Sequence, residues 1–171
     1  MAFDSHIRRG HPITFGLIFF FAVVEASLAT WLSVRFHQHH NAFKSDVKTR
    51  AHFLCFTAWW TVLFSFLYLG LFLHSASTGS IATSVASHLG WLALTWIFWT
   101  AGAAAITQAL GGGLNCSKID FEVAYCNQLN ALEGFAWATW ILITFALIVV
   151  LLLGVRAVRR GEGYRGQLVG Y

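Results

Sequence analysis

Polar and apolar residues are segregated along this 171-residue chain into long blocks rather than short alternating ones. Four mostly apolar stretches run roughly Ile13–Val34, His52–Leu73, Val85–Leu110 and Leu132–Val155. Each holds about 20 or more residues, enough to cross a hydrocarbon core of about 30 Å as a helix. In lipid a backbone must satisfy its own hydrogen bonds, which leaves helices or a closed barrel. Barrel strands alternate in polarity and are about half as long, so the pattern predicts helices. The fold class expected is all-α: a four-transmembrane-helix bundle with a short loop between helices 3 and 4. The chain reads as a single membrane domain over 1–171, ending in a short basic tail over 156–171. Four spans leave no room for a soluble catalytic domain.

Composition supports this. Hydrophobic residues make up 57% of the chain and charged residues 11%, where a soluble domain carries about 25% charge. The net charge of +4 is not a nucleic-acid signal, because the cations sit at span ends. They are Arg8 and Arg9, then Arg35, Lys44, Lys48 and Arg50, then Arg156, Arg159, Arg160 and Arg165. Juxtamembrane cations set topology and attract anionic headgroups, so Arg156, Arg159 and Arg160 are candidates for holding anionic phospholipid. Arg8 and Arg9 also precede an apolar run, but that run exceeds the 7–15 residues of a signal-peptide core and reads as a signal anchor.

Four spans place both termini on one side. Lys and Arg divide almost evenly between the two sides, leaning slightly toward cytoplasmic termini. Cys116 and Cys126 stand in the last loop, in Asn115-Cys116-Ser117-Lys118 through Ala124-Tyr125-Cys126. Two cysteines about ten residues apart in a juxtamembrane loop suggest a disulfide in an oxidising compartment. Free thiols facing the cytosol are the alternative, and a two-cysteine zinc site a weaker one, since the loop has no histidine. Asn115-Cys116-Ser117 fits a glycosylation pattern, with its cysteine and the nearby bilayer arguing against use. Cys55, inside the second span, reads as a packing residue.

Glu25 is the most unusual residue, close to the middle of the first span. A carboxylate there costs about 2.5–3.5 kcal/mol even on the lenient insertion scale. It is either a proton- or ion-coupled site or a protonated acid hydrogen-bonding between helices or subunits. Ser65, Thr61, Trp96, Thr95 and Thr144 are its candidate partners at similar depth. The span cores hold no second ionisable group, which favours the structural reading. His37, His39 and His40 cluster in the first loop, and His52, His74 and His88 lie at span ends; one cluster is too few for a di-iron site, and no pair sits inside the spans for haem. No metal site and no cofactor are expected, apart from a bound sterol or phospholipid. No nucleophile–base motif stands out.

Tryptophan is unevenly placed. Trp31, Trp59, Trp60, Trp137 and Trp140 all fall toward the side of the two longer loops, as half an aromatic belt or a lipid-facing aromatic surface. Small residues recur at four-residue spacing: Ala22, Ala26 and Thr30 in the first span, then Ala101, Ala105 and Ala109 with Gly102 in the third. Such stripes let helices approach closely, within the bundle or between subunits. Gly111-Gly112-Gly113 is a strong helix stop.

Several short segments together resemble a known family. They are Thr49-Arg50-Ala51-His52-Phe53 opening the second span, Trp99-Thr100-Ala101-Gly102 in the third, Cys116, Cys126-Asn127-Gln128, Ala131, and Phe135-Ala136-Trp137 opening the fourth. The combination resembles the MARVEL-domain tetraspans, especially the fungal non-classical export group that accompanies eisosomes, from about Pro12 to Arg160. The Gly-Leu-Trp–Cys–Cys pattern of claudins and the Cys-Cys-Gly of true tetraspanins are absent. The resemblance implies cytoplasmic termini, two extracellular loops, and a disulfide in the second of them. It also implies association with sterol- and sphingolipid-rich plasma membrane. It carries no catalytic residues. The basic, histidine-bearing first loop departs from the family pattern.

The function expected is a non-enzymatic scaffold that self-associates, binds membrane lipids and works with microdomain scaffold proteins, with no nucleic-acid partner. The alternative is a small channel or transporter, or its regulatory subunit, using Glu25.

Overall fold

The computed structural model describes the backbone over residues 2–39, 45–74, 85–117 and 124–159, and side chains over 13–39, 45–70, 87–117, 124–156 and at 159. Among the described residues the chain is all-helical: α1 (Ala2–His39), α2 (Ser45–His74), α3 (Val85–Leu110) and α4 (Cys126–Arg159). Each contains a segment long and apolar enough to cross a membrane. The helices run past most of the apolar boundaries, since lipid thickness limits the hydrophobic segment and not the hydrogen-bonded turns beyond it. α4 begins at Cys126, six residues before the apolar run opens.

Side-chain pairs fix the packing. Phe19 meets Phe66 while Thr30 meets Cys55 and Trp59, so α1 and α2 are antiparallel. Arg50 reaches Ala105, Trp60 reaches Thr95 and Tyr68 reaches Ser87, so α2 and α3 are antiparallel too. Trp96 with Thr144 and Trp137 with Thr107 establish the same for α3 and α4. Contacts between α1 and α4 close the ring. The result is an up-and-down four-helix bundle with the start of α1 and the end of α4 at one end.

One stripe of each helix fills the interior. Phe15, Ile18, Leu32 and Phe36 of α1 are buried, with Leu54 of α2, Leu92, Trp99 and Ile106 of α3, and Leu129, Leu132 and Ile143 of α4. The outward faces are equally apolar: Phe20, Phe66, Ile97, Phe145 and Leu152 are all more than half exposed. Apolar surface on every side is untenable in water and is what a lipid-facing exterior requires. α2 and α3 approach closely at Gly102, where an added Cβ would lie 2.7 Å from Leu54 Cδ2.

The end shared by the α3 terminus and the α4 start is built tightly. Gly111 and Gly112 take positive φ values of 78° and 90°, and both N–H groups donate to the Thr107 carbonyl, at 2.9 and 3.0 Å. This left-handed cap suits residues without a Cβ. The Asn130 side chain then holds Leu114 in both directions, its Oδ1 accepting from Leu114 N at 2.8 Å and its Nδ2 donating to Leu114 O at 2.7 Å. Cys116 and Cys126 form a disulfide with Cα atoms 5.9 Å apart. Tyr125, at φ 63°, is wedged against Trp31 and Phe36.

Candidate functional site in the polar interior of the bundle

Apart from the Arg50 guanidinium, which donates to the Ala105 carbonyl, hydroxyl groups and indoles make most of the described side-chain bonds between these helices. Six indole N–H groups each donate to a threonine hydroxyl on another helix. Trp59 bonds Thr30 at 3.1 Å and Trp60 bonds Thr95 at 3.2 Å. Trp96 bonds Thr144, Trp99 bonds Thr61 and Trp137 bonds Thr107, each at 2.9 Å. Trp140 bonds Thr100 at 2.7 Å. An indole has one donor and no acceptor, so a hydroxyl whose own proton is already placed is a matched partner.

Two of these bonds form a reciprocal unit. Trp96-Ile97-Phe98-Trp99-Thr100 on α3 faces Trp140-Ile141-Leu142-Ile143-Thr144 on α4. Trp96 donates to Thr144, whose hydroxyl donates to the Trp140 carbonyl at 2.8 Å. Trp140 donates to Thr100, whose hydroxyl donates to the Trp96 carbonyl at 2.7 Å. Four hydrogen bonds thus close a circuit between two antiparallel helices, with the ring centroids 6.1 Å apart. The unit uses Trp and Thr four residues apart on both helices, a spacing that brings each hydroxyl to the carbonyl of the Trp one turn before it.

Glu25 lies fully buried on the inner face of α1, and neither carboxylate oxygen has a hydrogen-bond partner among the described residues. This corrects the expected set of partners. Thr61 is taken by Trp99, Ser65 donates to the Thr61 carbonyl, Thr95 accepts from Trp60, and Trp96 and Thr144 bond each other. The backbone carbonyls of a helix are nearer to these hydroxyls than a carboxylate on another helix, so they win the protons.

The remaining sequence candidates are distributed as follows. Trp31 and Trp59 are exposed, whereas Trp60, Trp137 and Trp140 are half-buried; all of these except Trp31 turn the N–H to a threonine on a neighbouring helix. Ala22 and Ala26 are buried inside the bundle and Thr30 is half-buried against Cys55 and Trp59. On α3, Gly102 and Ala109 are buried, Ala105 is half-buried and Ala101 is exposed. Arg156 and Arg159 are exposed at the end of α4, at the same bundle end as the start of α1. Arg160 and His40 lie outside the described residues, while His37 and His39 are exposed. Asn115 is exposed beside the disulfide. Among the described residues no three His, Cys, Asp or Glu side chains gather closely enough to hold a metal.

Sequence reasoning passed over several contributors. Thr30, a small residue of the α1 stripe in sequence, accepts a Trp N–H in the structure; Thr100 and Thr107 do the same. Asn130 organises the loop end. Glu133, at the edge of the apolar run, is a second largely buried carboxylate, 8% exposed. The recurring Trp-x-x-x-Thr spacing is the signal that could have found the reciprocal unit.

The chain is a four-span bundle with apolar faces, a closed ring and a disulfide between the third and fourth spans. The membrane-associating domain model of the MARVEL family matches residues 6–149. The chain belongs to the MARVEL family. The match covers all of α2 and α3 and most of α1 and α4, so the MARVEL domain and the bundle are the same object. No curated protein and no solved structure matches the chain. The MARVEL domain is thus an integral membrane, membrane-associating unit.

Proposed function

We propose that this MARVEL-domain protein is a non-enzymatic scaffold of the plasma membrane that self-associates and organises or curves regions rich in sterol and sphingolipid. Both termini face the cytoplasm in this reading, and the chain works beside other microdomain scaffold proteins, as in the fungal eisosome-associated group it resembles. One observation supports it above others. The hydrogen-bonding side chains of the four helices are largely spent on each other, through six Trp–Thr bonds and the Trp96–Thr144–Trp140–Thr100 circuit, while the exterior is apolar on all sides. Such a body offers its surroundings shape and surface. Trp31 and Trp59 present aromatic faces to one leaflet, and Arg156, Arg159 and Arg160 supply cations for anionic headgroups at the other end.

The test is reconstitution into giant vesicles containing phosphatidylcholine, sphingomyelin and sterol, with fluorescent chain at low density. The expected outcome is enrichment in the sterol-rich phase together with oligomers trapped by cross-linking. Even distribution with only monomers trapped would overturn the scaffold reading. Cation or proton flux into proteoliposomes that is lost in Glu25→Gln would favour a transporter or channel instead.

A further inference from the structure

A cation lies half-buried where the apolar run of α2 begins. Arg50 turns its guanidinium across to α3 and donates to the Ala105 carbonyl. That bond leaves most of the five N–H donors of the group unspent. Among the described residues no Asp or Glu pairs with it, and Asp46, one turn earlier on α2, is exposed. Lys48, two residues before Arg50 and half-buried, adds a second cation to the same end. A guanidinium tied to a neighbouring helix is fixed in place, with donors set for an oxyanion.

From Arg50 a band of rings follows the outer seam between α2 and α3. α2 supplies Phe53, Phe56 and Trp60, whose three- and four-residue spacing keeps them on one side of the helix. α3 supplies Phe98, with its ring centroid 6.4 Å from Phe53, 5.9 Å from Phe56 and 5.8 Å from Trp60. Trp60 spends its N–H on Thr95, so the band offers lipid only carbon. Phe53 and Phe56 are exposed and Phe98 is half-buried. Ala101, exposed one turn from Phe98, makes a low place beside that ring.

Length and charge select the occupant. Arg50 and Trp60 are separated by a helical rise of about 15 Å, which is the depth of one leaflet of a hydrocarbon core of about 30 Å. A fixed cation at the boundary, followed by rings down to the midplane, matches an amphiphile with a negative head and an apolar tail. A sterol brings no charge to answer Arg50. A zwitterionic lipid brings a cation of its own to a place that already holds two. Phosphate suits the planar guanidinium, since two of its oxygens can accept parallel N–H bonds.

We infer that the α2–α3 seam binds one phospholipid of net negative charge from the leaflet at the disulfide end, with its phosphate on Arg50 and an acyl chain along Phe53, Phe56, Phe98 and Ala101. This site lies at the opposite end of the bundle from Arg156 and Arg159. It rests on the membrane-spanning bundle alone: it needs no self-association and holds for either orientation of the termini.

The test uses the full chain, one copy per phosphatidylcholine nanodisc. The discs carry a trace of phosphatidylglycerol or phosphatidylcholine with a diazirine on the acyl chain, and adducts are mapped by peptide mass spectrometry after illumination. The expected result is that phosphatidylglycerol adducts concentrate on the Phe53–Phe56 and Phe98–Ala101 segments, while phosphatidylcholine labels the exposed faces of all four helices evenly. Arg50→Gln should cut the seam adducts by roughly tenfold, the scale of one lost charge-assisted hydrogen bond, and leave labelling near Arg156 unchanged. Should Arg50→Gln fail to fold, Ala101→Leu, at an exposed position, fills the low place and should lower seam labelling with the charge intact. Equal labelling of the seam by both lipids would overturn the site, as would seam labelling that survives Arg50→Gln or Ala101→Leu. Loss of the seam adducts to inorganic phosphate at constant ionic strength would overturn it too, by showing a site for the free anion and not for the lipid.

Discussion

At the scale of single residues, the structure assigns weight to positions that hydropathy treats as equivalent. Gly102 and Ala101 are neighbours in a run of small residues, yet Gly102 is buried against Leu54 and Ala101 is exposed. The Ala101, Ala105 and Ala109 stripe drifts around α3, because four residues exceed one helical turn of 3.6 and each step rotates by about 40°. Gly102→Ala places a methyl 2.7 Å from Leu54 Cδ2, so the leucine must shift. Overpacking costs about 1–3 kcal/mol, offset by about 1 kcal/mol of helix propensity gained, and because the contact is with the end of the Leu54 side chain the expected change in the thermal midpoint of the micelle-bound chain is small, whereas Ala101→Gly should lower it by the full propensity loss, about 1 kcal/mol. Similarly, Trp60 and Trp59 adjoin in sequence but differ in setting: Trp59 is 54% exposed while Trp60 packs 4.2 Å from Phe64. Amphipathic rings near a span end look alike in sequence, and only the facing helices decide which ring is buried, since both N–H groups reach a threonine on a neighbouring helix.

Between elements, legibility ends sooner. The existence of all four helices could be read from block length alone, and the Gly111–Gly113 stop located the end of α3 to the residue. The start of α4 could not be read that way. Cys126 to Ala131 are polar or small apart from the buried Leu129, and they are helical because the disulfide, Tyr125 and the Asn130–Leu114 bracket anchor that turn, none of which alters hydropathy. Pairing was equally hidden. A threonine in an apolar run carries no mark of the tryptophan it will meet, so the α3–α4 circuit emerges only once antiparallel register is known. That circuit makes a prediction at this scale. Thr100→Val and Thr144→Val each remove one acceptor and one donor, and interhelical hydrogen bonds in membranes average about 0.6 and reach about 1.7 kcal/mol. Because both belong to one circuit, a double-mutant cycle should show coupling of at least about 0.5 kcal/mol, the threshold for residues sharing a network; additive losses would mean that the two halves act separately. For the loop end, replacing Cys116 and Cys126 by serine should destabilise by about 2–3 kcal/mol, since the closed loop is short. Reducing agent should lower the unfolding midpoint of the unaltered chain and leave the serine variant unmoved.

For the whole molecule, the apolar exterior and basic end direct attention to lipid. Arg156 and Arg159 extend from the last turns of α4 beside the end at which α1 begins. Juxtamembrane cations are worth about 1 kcal/mol each toward an anionic surface. Replacing Arg156, Arg159 and Arg160 together by Gln should therefore reduce the phosphatidylserine that co-purifies with the chain from mixed bilayers, and high salt should do the same to the unaltered protein. Equal lipid retention at low salt would remove this part of the proposal.

The closed ring also has a consequence in time. α1 and α4 are neighbours in the finished bundle, but α1 ends at His39 and α4 begins at Cys126. At about 5–20 residues per second of synthesis, the first span waits on the order of ten seconds for the last. During that interval the nascent chain has an open side toward lipid, the Trp96 indole lacks its α4 acceptor Thr144, and Thr100 and Thr107 lack the α4 indoles they accept from. Ribosome-bound chains arrested before Cys126 should accordingly be cleared faster in pulse–chase than full-length chains. The last helix is then the step that licenses the first three to persist.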